Sequence, residues 1–316
     1  MTEPFREDAL LAFIKSHSTS LGPKVIQGPG DDLAVISFHG HTLLAGTDSV
    51  IEGVHFVAGT TPEAIGRKAV TRNLSDVAAM AARPVACLAS CVLPRDVSTE
   101  FANRLVESVR RTALHFQAPL IGGDTALHRR DAPLTLCVTV LAEPLSATHP
   151  PVLRSGGRAG DRLMVTGSLG GSLLQDGTGK HLDFVPRLEE AESLLTVLGG
   201  QLHAMMDLSD GLAQDAARMA TASNMQAVIV ANHVPCNSGC DWQRAMSDGE
   251  DYELLFAIEP NAHVPAHLGR TGTPTCEVGW LRAMPTPTSP RLVCVVKGVE
   301  TECASVKRFH DATTSG

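Results

Sequence analysis

Asn73-Leu74-Ser75-Asp76-Val77-Ala78-Ala79-Met80 sets one aspartate in a run of small and apolar residues. The run lies within Thr61 to Ala82, where Ile65, Ala69, Val70, Leu74 and Val77 share a face and Pro62 suits a first turn. This spacing predicts a helix that stops before Pro84. Upstream, an opening helix is expected over 5–17, followed by strands at 33–38, 42–45 and 50–57, the first two framing a hairpin. Downstream, a strand at 85–93, a helix at 98–116, a short strand at 119–121 ending in Gly122-Gly123-Asp124, and a strand at 134–141 complete the pattern. Helices alternating with strands in this order predict an α/β domain on one mixed sheet.

The Pro, Ser and Thr residues at 144–151 mark the expected domain boundary, giving domains 1–145 and 146–316. The second also reads as α/β, with strands expected at 162–166, 227–230, 252–258, 276–279 and 291–296 and helices at 187–199 and 210–223. Leu208-Ser209-Asp210 echoes Leu74-Ser75-Asp76, too short a match to define a repeat.

The whole chain has 316 residues, 43% of them hydrophobic and 19% charged, a globular composition. A net charge of −8 argues against nucleic acid or an acidic membrane as the main partner. Trp242, Trp280 and Tyr252 are the only Trp and Tyr, too few for a base-stacking surface. Arg83 and Pro84 interrupt the longest apolar stretch, so no membrane span is expected. Acids precede any apolar run at the N-terminus, a poor secretory signal, and the expected compartment is the cytoplasm. The eight cysteines read as buried thiols.

The chemistry lies in the aspartates. Asp31 and Asp32 precede a strand, Asp48 ends one, Asp76 lies in a helix, Asp124 follows two glycines, and Asp207 and Asp210 sit at a helix mouth. Any one of them can be a cap, but several have apolar flanks, where a carboxylate is costly without a positive partner. As a set they suit hard divalent ions, Mg²⁺ above all, which join carboxylates to phosphate oxygens. Gly28, Gly30, Gly122 and Gly123 beside these acids allow close approach of a phosphate. Neither a P-loop nor a dinucleotide-binding glycine motif is present. Gly167-Ser168-Leu169-Gly170-Gly171 fits either a helix cap or a phosphate contact. Arg154 reads as a site cation or a linker residue, His55 as a substrate contact or a core histidine, and Ser209 as a capping hydroxyl or phosphate contact. The acids of Glu250-Asp251-Tyr252-Glu253 suggest an end that holds a cationic ligand, with Tyr252 offering an aromatic face.

Taken together, Gly30-Asp31-Asp32, Thr47-Asp48, Glu52-Gly53-Val54-His55-Phe56, the Asn73–Met80 run, Gly122-Gly123-Asp124-Thr125, Arg154-Ser155-Gly156, Asp207-Leu208-Ser209-Asp210-Gly211-Leu212 and Gly249-Glu250-Asp251-Tyr252-Glu253-Leu254 resemble the thiamine-monophosphate kinases. That family belongs to the superfamily of aminoimidazole-ribonucleotide synthetase, and the resemblance covers roughly residues 25 to 260. It implies a phosphotransferase of thiamine biosynthesis that moves the γ-phosphoryl group of ATP onto thiamine monophosphate with several Mg²⁺ ions and no covalent nucleophile. By resemblance, Asp32, Thr47, Asp48, Asp76, Asp124, Asp207 and Asp210 are metal ligands. Gly123, Asp124, Arg154 and Ser209 are ATP contacts, and His55, Glu250 and Phe309 are contacts to the thiamine compound. The implied assembly is a homodimer whose N-terminal sheets join into a barrel, each with a C-terminal α/β domain.

Four departures stand out. Gly46 replaces a Ser or Thr, Asp248 replaces the first glycine of a Gly-Gly-Glu-Asp, the segment from Leu174 to His181 is short, and the C-terminal aromatic motif is reduced to Arg308-Phe309-His310-Asp311. The alternatives are another ATP-using enzyme of the superfamily or a non-catalytic nucleotide-binding paralogue.

Overall fold

A computed structural model describes residues 7–18, 20–146 and 148–303, and Phe309 lies outside them. The first half contains α1 (Glu7–His17), β1 (Val25–Gln27), β2 (Ala34–Phe38), β3 (His41–Ile51), α2 (Pro62–Ala79), β4 (Ala82–Pro94), α3 (Thr99–His115), β5 (Leu120–His128) and β6 (Thr135–Pro144). The strands form one mixed sheet in the order β1-β2-β3-β6-β4-β5, parallel only between β4 and β5.

Several boundaries differ from expectation: the helix expected to reach Ala82 ends at Ala79 and the next strand begins at Ala82, and two other differences bear on the site. The runs at 42–45 and 50–57 are a single strand to Ile51, because pairing with β6 continues without a break from Leu44 to Ile51. The strand expected to end at Ile121 continues through Gly122-Gly123-Asp124 to His128. Glycine permits this continuation, since a Cβ on Gly123 would lie 1.8 Å from the Ala89 carbonyl oxygen of β4.

Thr61 caps α2, its Oγ1 accepting from Ala64 N at 3.3 Å, and Pro62 occupies the first turn. The apolar face of α2 joins Leu105 and Val109 of α3 in a core with Leu44, Leu136, Val138 and Val140 of the sheet.

The second half contains β7 (Arg162–Thr166), α4 (Leu188–Leu198), β8 (Leu202–Asp207), α5 (Leu212–Ala222), β9 (Met225–Val230), α6 (Trp242–Ser247), β10 (Leu254–Ile258), β11 (His267–Leu268), β12 (Thr273–Ala283), β13 (Leu292–Val296) and β14 (Val299–Glu302). Its sheet runs β14-β13-β9-β12-β7-β10-β8, with β11 paired to β12. Strand β8 escaped the sequence reading because Leu202-His203-Ala204-Met205-Met206 lacks β-branched residues and does not alternate. It delivers Asp207 at its last position.

The halves meet through a third core. Ala78, Ala79 and Ala81 at the end of α2 pack with Met164, Leu194, Leu198, Met205 and Phe256 of the second half. Small residues at this end let the helix backbone approach the second sheet closely. Val152 N and Met205 N donate to Met80 O and Leu153 O, which fixes the connecting chain between the halves. No described helix is long and apolar enough to cross a membrane.

Candidate functional site

Successive turns of α2 present Lys68, Arg72 and Asp76, spaced by four residues along one side. Asp76 meets Asp32, which precedes β2, and Asp207 at the end of β8. One carboxylate oxygen from each lies within 4.8 Å of the others. Ser75 Oγ donates to Asp207 Oδ2 at 2.7 Å, so the two Leu-Ser-Asp echoes lie on segments that converge.

Three acids this close repel one another. Burial, then Asp48, Asp207 and Asp32, push the Asp76 carboxyl well above the ordinary range. Burial and Asp32 push Asp207 up to about 8. Arg154 forms an ion pair with Asp32, yet Asp32 Oδ2 is buried with no hydrogen-bond partner. An all-oxygen donor set with an orphaned buried oxygen fits a hard divalent cation such as Mg²⁺. The backbone N–H of Arg154 donates to both carboxylate oxygens of Asp31 at 3.2 Å, and burial raises that acid to about 6.

The other expected residues divide by position. Asp48 accepts from Arg72 Nε at 2.9 Å on the helix-covered face of the first sheet. Thr47, its neighbour in β3, points to the opposite face, where its Oγ1 bonds Val138 O and accepts from Thr139 Oγ1 at 3.0 Å. Asp48, Val138, Ala89 and Gly123 form one cross-sheet row, which puts Gly123 and Asp124 three strand spacings from Asp48, roughly 14 Å away. Asp210 is ion-paired with Arg218. Half-buried Ser209 accepts from Glu250 N at 2.8 Å through its carbonyl.

On the other side of Arg72 lies a buried charge cluster. Fully buried Lys68 donates to His55 O and to His181 Nδ1, each at 2.7 Å, and forms an ion pair with Glu250. His181 Nε2 donates to Gly177 O at 3.1 Å, which sets its tautomer. His55 Nδ1 accepts from Ile51 N at 3.1 Å. Burial works to raise the Glu250 carboxyl, but the Lys68 and Arg72 cations hold it well below the carboxylate range.

The acids at 250–253 differ from the open acidic end expected for a cationic ligand, since their partners are internal. Glu250 is 7% exposed beneath Lys68. Asp251 accepts from Gly170 N and from Ser172 Oγ. Glu253 accepts from Thr166, Lys180 and Arg187. The ring of Tyr252 is stacked on Phe184 at 4.0 Å, so its face is taken. Glu250 and Tyr252 hold φ of 59° and 52°, a left-handed conformation that costs of order 1–3 kcal/mol each. The glycine loop at 167–171 does not cap a helix; its Gly170 and Gly171 amides donate to Asp251 and Asp248.

Two departures from the family pattern have local explanations. A Cβ at Gly46 would lie 2.3 Å from Leu33 Cδ2, so glycine leaves space for that core side chain. Asp248 is paired with Arg244 at 2.8 Å and bonds the Gly171 amide, which neutralises its charge.

Lys68, Arg72, Ser75 and His181 were missed by the sequence reading. The four-residue spacing of Lys68, Arg72 and Asp76 in an otherwise apolar helix was the available signal for the first two. His181 carries no local signal, because the short 3-10 turn Lys180–Leu182, far from Lys68 in sequence, brings it in.

The chain matches the AIR synthase related protein N-terminal domain over residues 30–143 and the corresponding C-terminal domain over 158–286. It is 35% identical over 292 residues to a thiamine-monophosphate kinase of Rhodopirellula baltica, covering 86% of this chain and 88% of the relative. One from Buchnera aphidicola is 32% identical over 274 residues, covering 78% and 80%. Among solved structures, AaThiL complexed with AMPPCP and TMP superposes with a TM-score of 0.76 at 25% identity, covering 95% of this chain and 98% of that one.

Proposed function

From the premise that this chain belongs to the thiamine-monophosphate kinase family of AIR synthase related proteins, we propose that it converts thiamine monophosphate and ATP to thiamine diphosphate and ADP. An oxygen of the acceptor phosphate forms a bond to the γ-phosphorus as the bond from that phosphorus to the β–γ bridging oxygen breaks. The observation that carries this reading is the convergence of Asp32, Asp76 and Asp207 between the two halves.

We place Mg²⁺ at these three carboxylates, with Asp48 beside them. Bound there, the ions supply charge neutralisation for the transferring phosphoryl group. The chain's own residues do the positioning. Arg154 offsets the charge of Asp32 at the end assigned to ATP, with Ser209 and Asp210 on the adjoining turn. Glu250 acts through Lys68, which grips the His55 carbonyl and so fixes the turn at the acceptor end. Phe309, outside the described residues, is assigned to the thiamine ring.

The domains, 1–145 and 146–316, would work as a homodimer. Edge strand β5 carries Ile121 and Leu127, each 61% exposed, and pairing with a second copy would cover it and join the first-half sheets into a barrel. Thr47, Gly123 and Asp124 lie on the face and edge involved, so any contact of theirs with ATP or metal depends on that assembly.

The test is incubation of the purified protein with ATP, Mg²⁺ and thiamine monophosphate, followed by chromatography. Thiamine diphosphate should form and cease forming in excess EDTA. ADP release without thiamine diphosphate would overturn the acceptor assignment.

A further inference from the structure

Arg72 stands at the junction of the two charge clusters. Its Cα is one α-helical turn, about 6 Å of rise, from Lys68 on one side and from Asp76 on the other. Lys68 grips the acceptor-end turn through His55 O, while Asp76 belongs to the carboxylate trio. Arg72 therefore lies between the proposed acceptor end and the carboxylate trio.

The guanidinium is held for such a task. Nε donates to Asp48 at 2.9 Å and Nη1 to Ser49 O at 3.3 Å, both on β3. Nη2 has no hydrogen-bond partner among the described residues, and the side chain is 19% exposed. A guanidinium carries five N–H donors in a rigid fork, so donors remain for a planar or tetrahedral anion. Nearby, Tyr252 Oη is buried without a partner, a second donor lacking an acceptor. Unmatched donors beside an acidic trio indicate a ligand that brings its own negative oxygens.

We propose that Arg72 is the protein's ligand for the phosphate of the acceptor, the residue by which thiamine monophosphate is distinguished from unphosphorylated thiamine. The proposal rests on the function given above. The guanidinium also reduces repulsion between the acceptor phosphate and the incoming γ-phosphate, which a counter-ion committed wholly to Asp48 would not do.

Calorimetric titrations of thiamine monophosphate, thiamine and ATP, each with Mg²⁺, into wild type, Arg72→Gln and Arg72→Lys test this. Gln retains a donor for Asp48 without the charge, and Lys retains the charge without the fork. Arg72→Gln should reduce the preference for thiamine monophosphate over thiamine by about 10-fold or more, leaving thiamine and ATP affinities within about 2-fold, with Arg72→Lys between. An unchanged preference in Arg72→Gln overturns the proposal, as does equal weakening of both thiamine compounds or failure of both variants to fold, which would make Arg72 a structural counter-ion. A wild type that produces no thiamine diphosphate instead overturns the kinase reading, a separately visible outcome.

Discussion

Ser75 Oγ lies 2.7 Å from Asp207 Oδ2, a hydrogen bond that joins α2 of the first half to the end of β8 in the second. Both residues are almost fully buried, so the bond fixes how the two halves present their acids to one another. Ser75→Ala removes the donor and leaves a buried carboxylate without it, which should lower stability by about 1–3 kcal/mol in urea titrations. An unchanged unfolding midpoint would show that this bond contributes nothing to holding the halves together.

Asp76 is placed against other carboxylates at the expense of the fold. Asp76→Asn should therefore make the metal-free protein more stable while lowering turnover by about 100-fold or more. Thermal unfolding with and without Mg²⁺ reads the first effect, since added Mg²⁺ should raise the midpoint of wild type more than that of the variant.

Glu250→Gln leaves the Lys68 ammonium buried without its counter-charge, a loss of about 3–5 kcal/mol. Adding Lys68→Met should recover much of it. A double-mutant cycle in urea checks this, and simple additivity of the two changes would show that the pair is not coupled.

Tyr252 is 1% exposed and its hydroxyl has no partner, so Tyr252→Phe should stabilise the substrate-free protein by about 1 kcal/mol or more. A loss of stability in calorimetric melting would mean that the hydroxyl has an unseen acceptor.

Asp251 gives a pH dependence. Burial pushes its carboxyl up to about 7, with Ser172 and Gly170 returning part of the shift. The folded state then holds a proton that the unfolded chain releases near pH 4, so stability falls as pH rises from about 4 to about 7, by at most about 1.4 kcal/mol per pH unit. Asp251→Asn does not titrate and should show a flatter profile over that window. Parallel profiles of wild type and variant in urea titrations at pH 5, 6, 7 and 8 would mean that Asp251 is ionised throughout.

The sequence by itself determined the elements with strong periodicity and the residues whose type is unusual for their flanks. Helix α2 was legible because its apolar face repeats at helical spacing between Thr61 and Pro84, and Asp76 stood out because a lone acid among Leu, Val and Ala demands a partner. The family was legible because many short motifs keep their order, each weak alone. Strand β8 was not legible, since tertiary pairing with β10 rather than local propensity makes Leu202–Asp207 extended.

Only the tertiary structure decided which charges share a site. Thr47 and Asp48 are adjacent in sequence but alternate across a strand, so their side chains face opposite sides of the sheet. Asp32, Asp76 and Asp207 are far apart in sequence but converge where the end of α2 packs on the second sheet. The acids at 250–253 look like an exposed cluster in one dimension, and in three Glu250 and Glu253 are neutralised by Lys68, Lys180 and Arg187 from other segments while Asp251 is bonded by Gly170 N and Ser172 Oγ. The partner of a buried charge is set by long-range packing, which residue spacing along the chain does not encode.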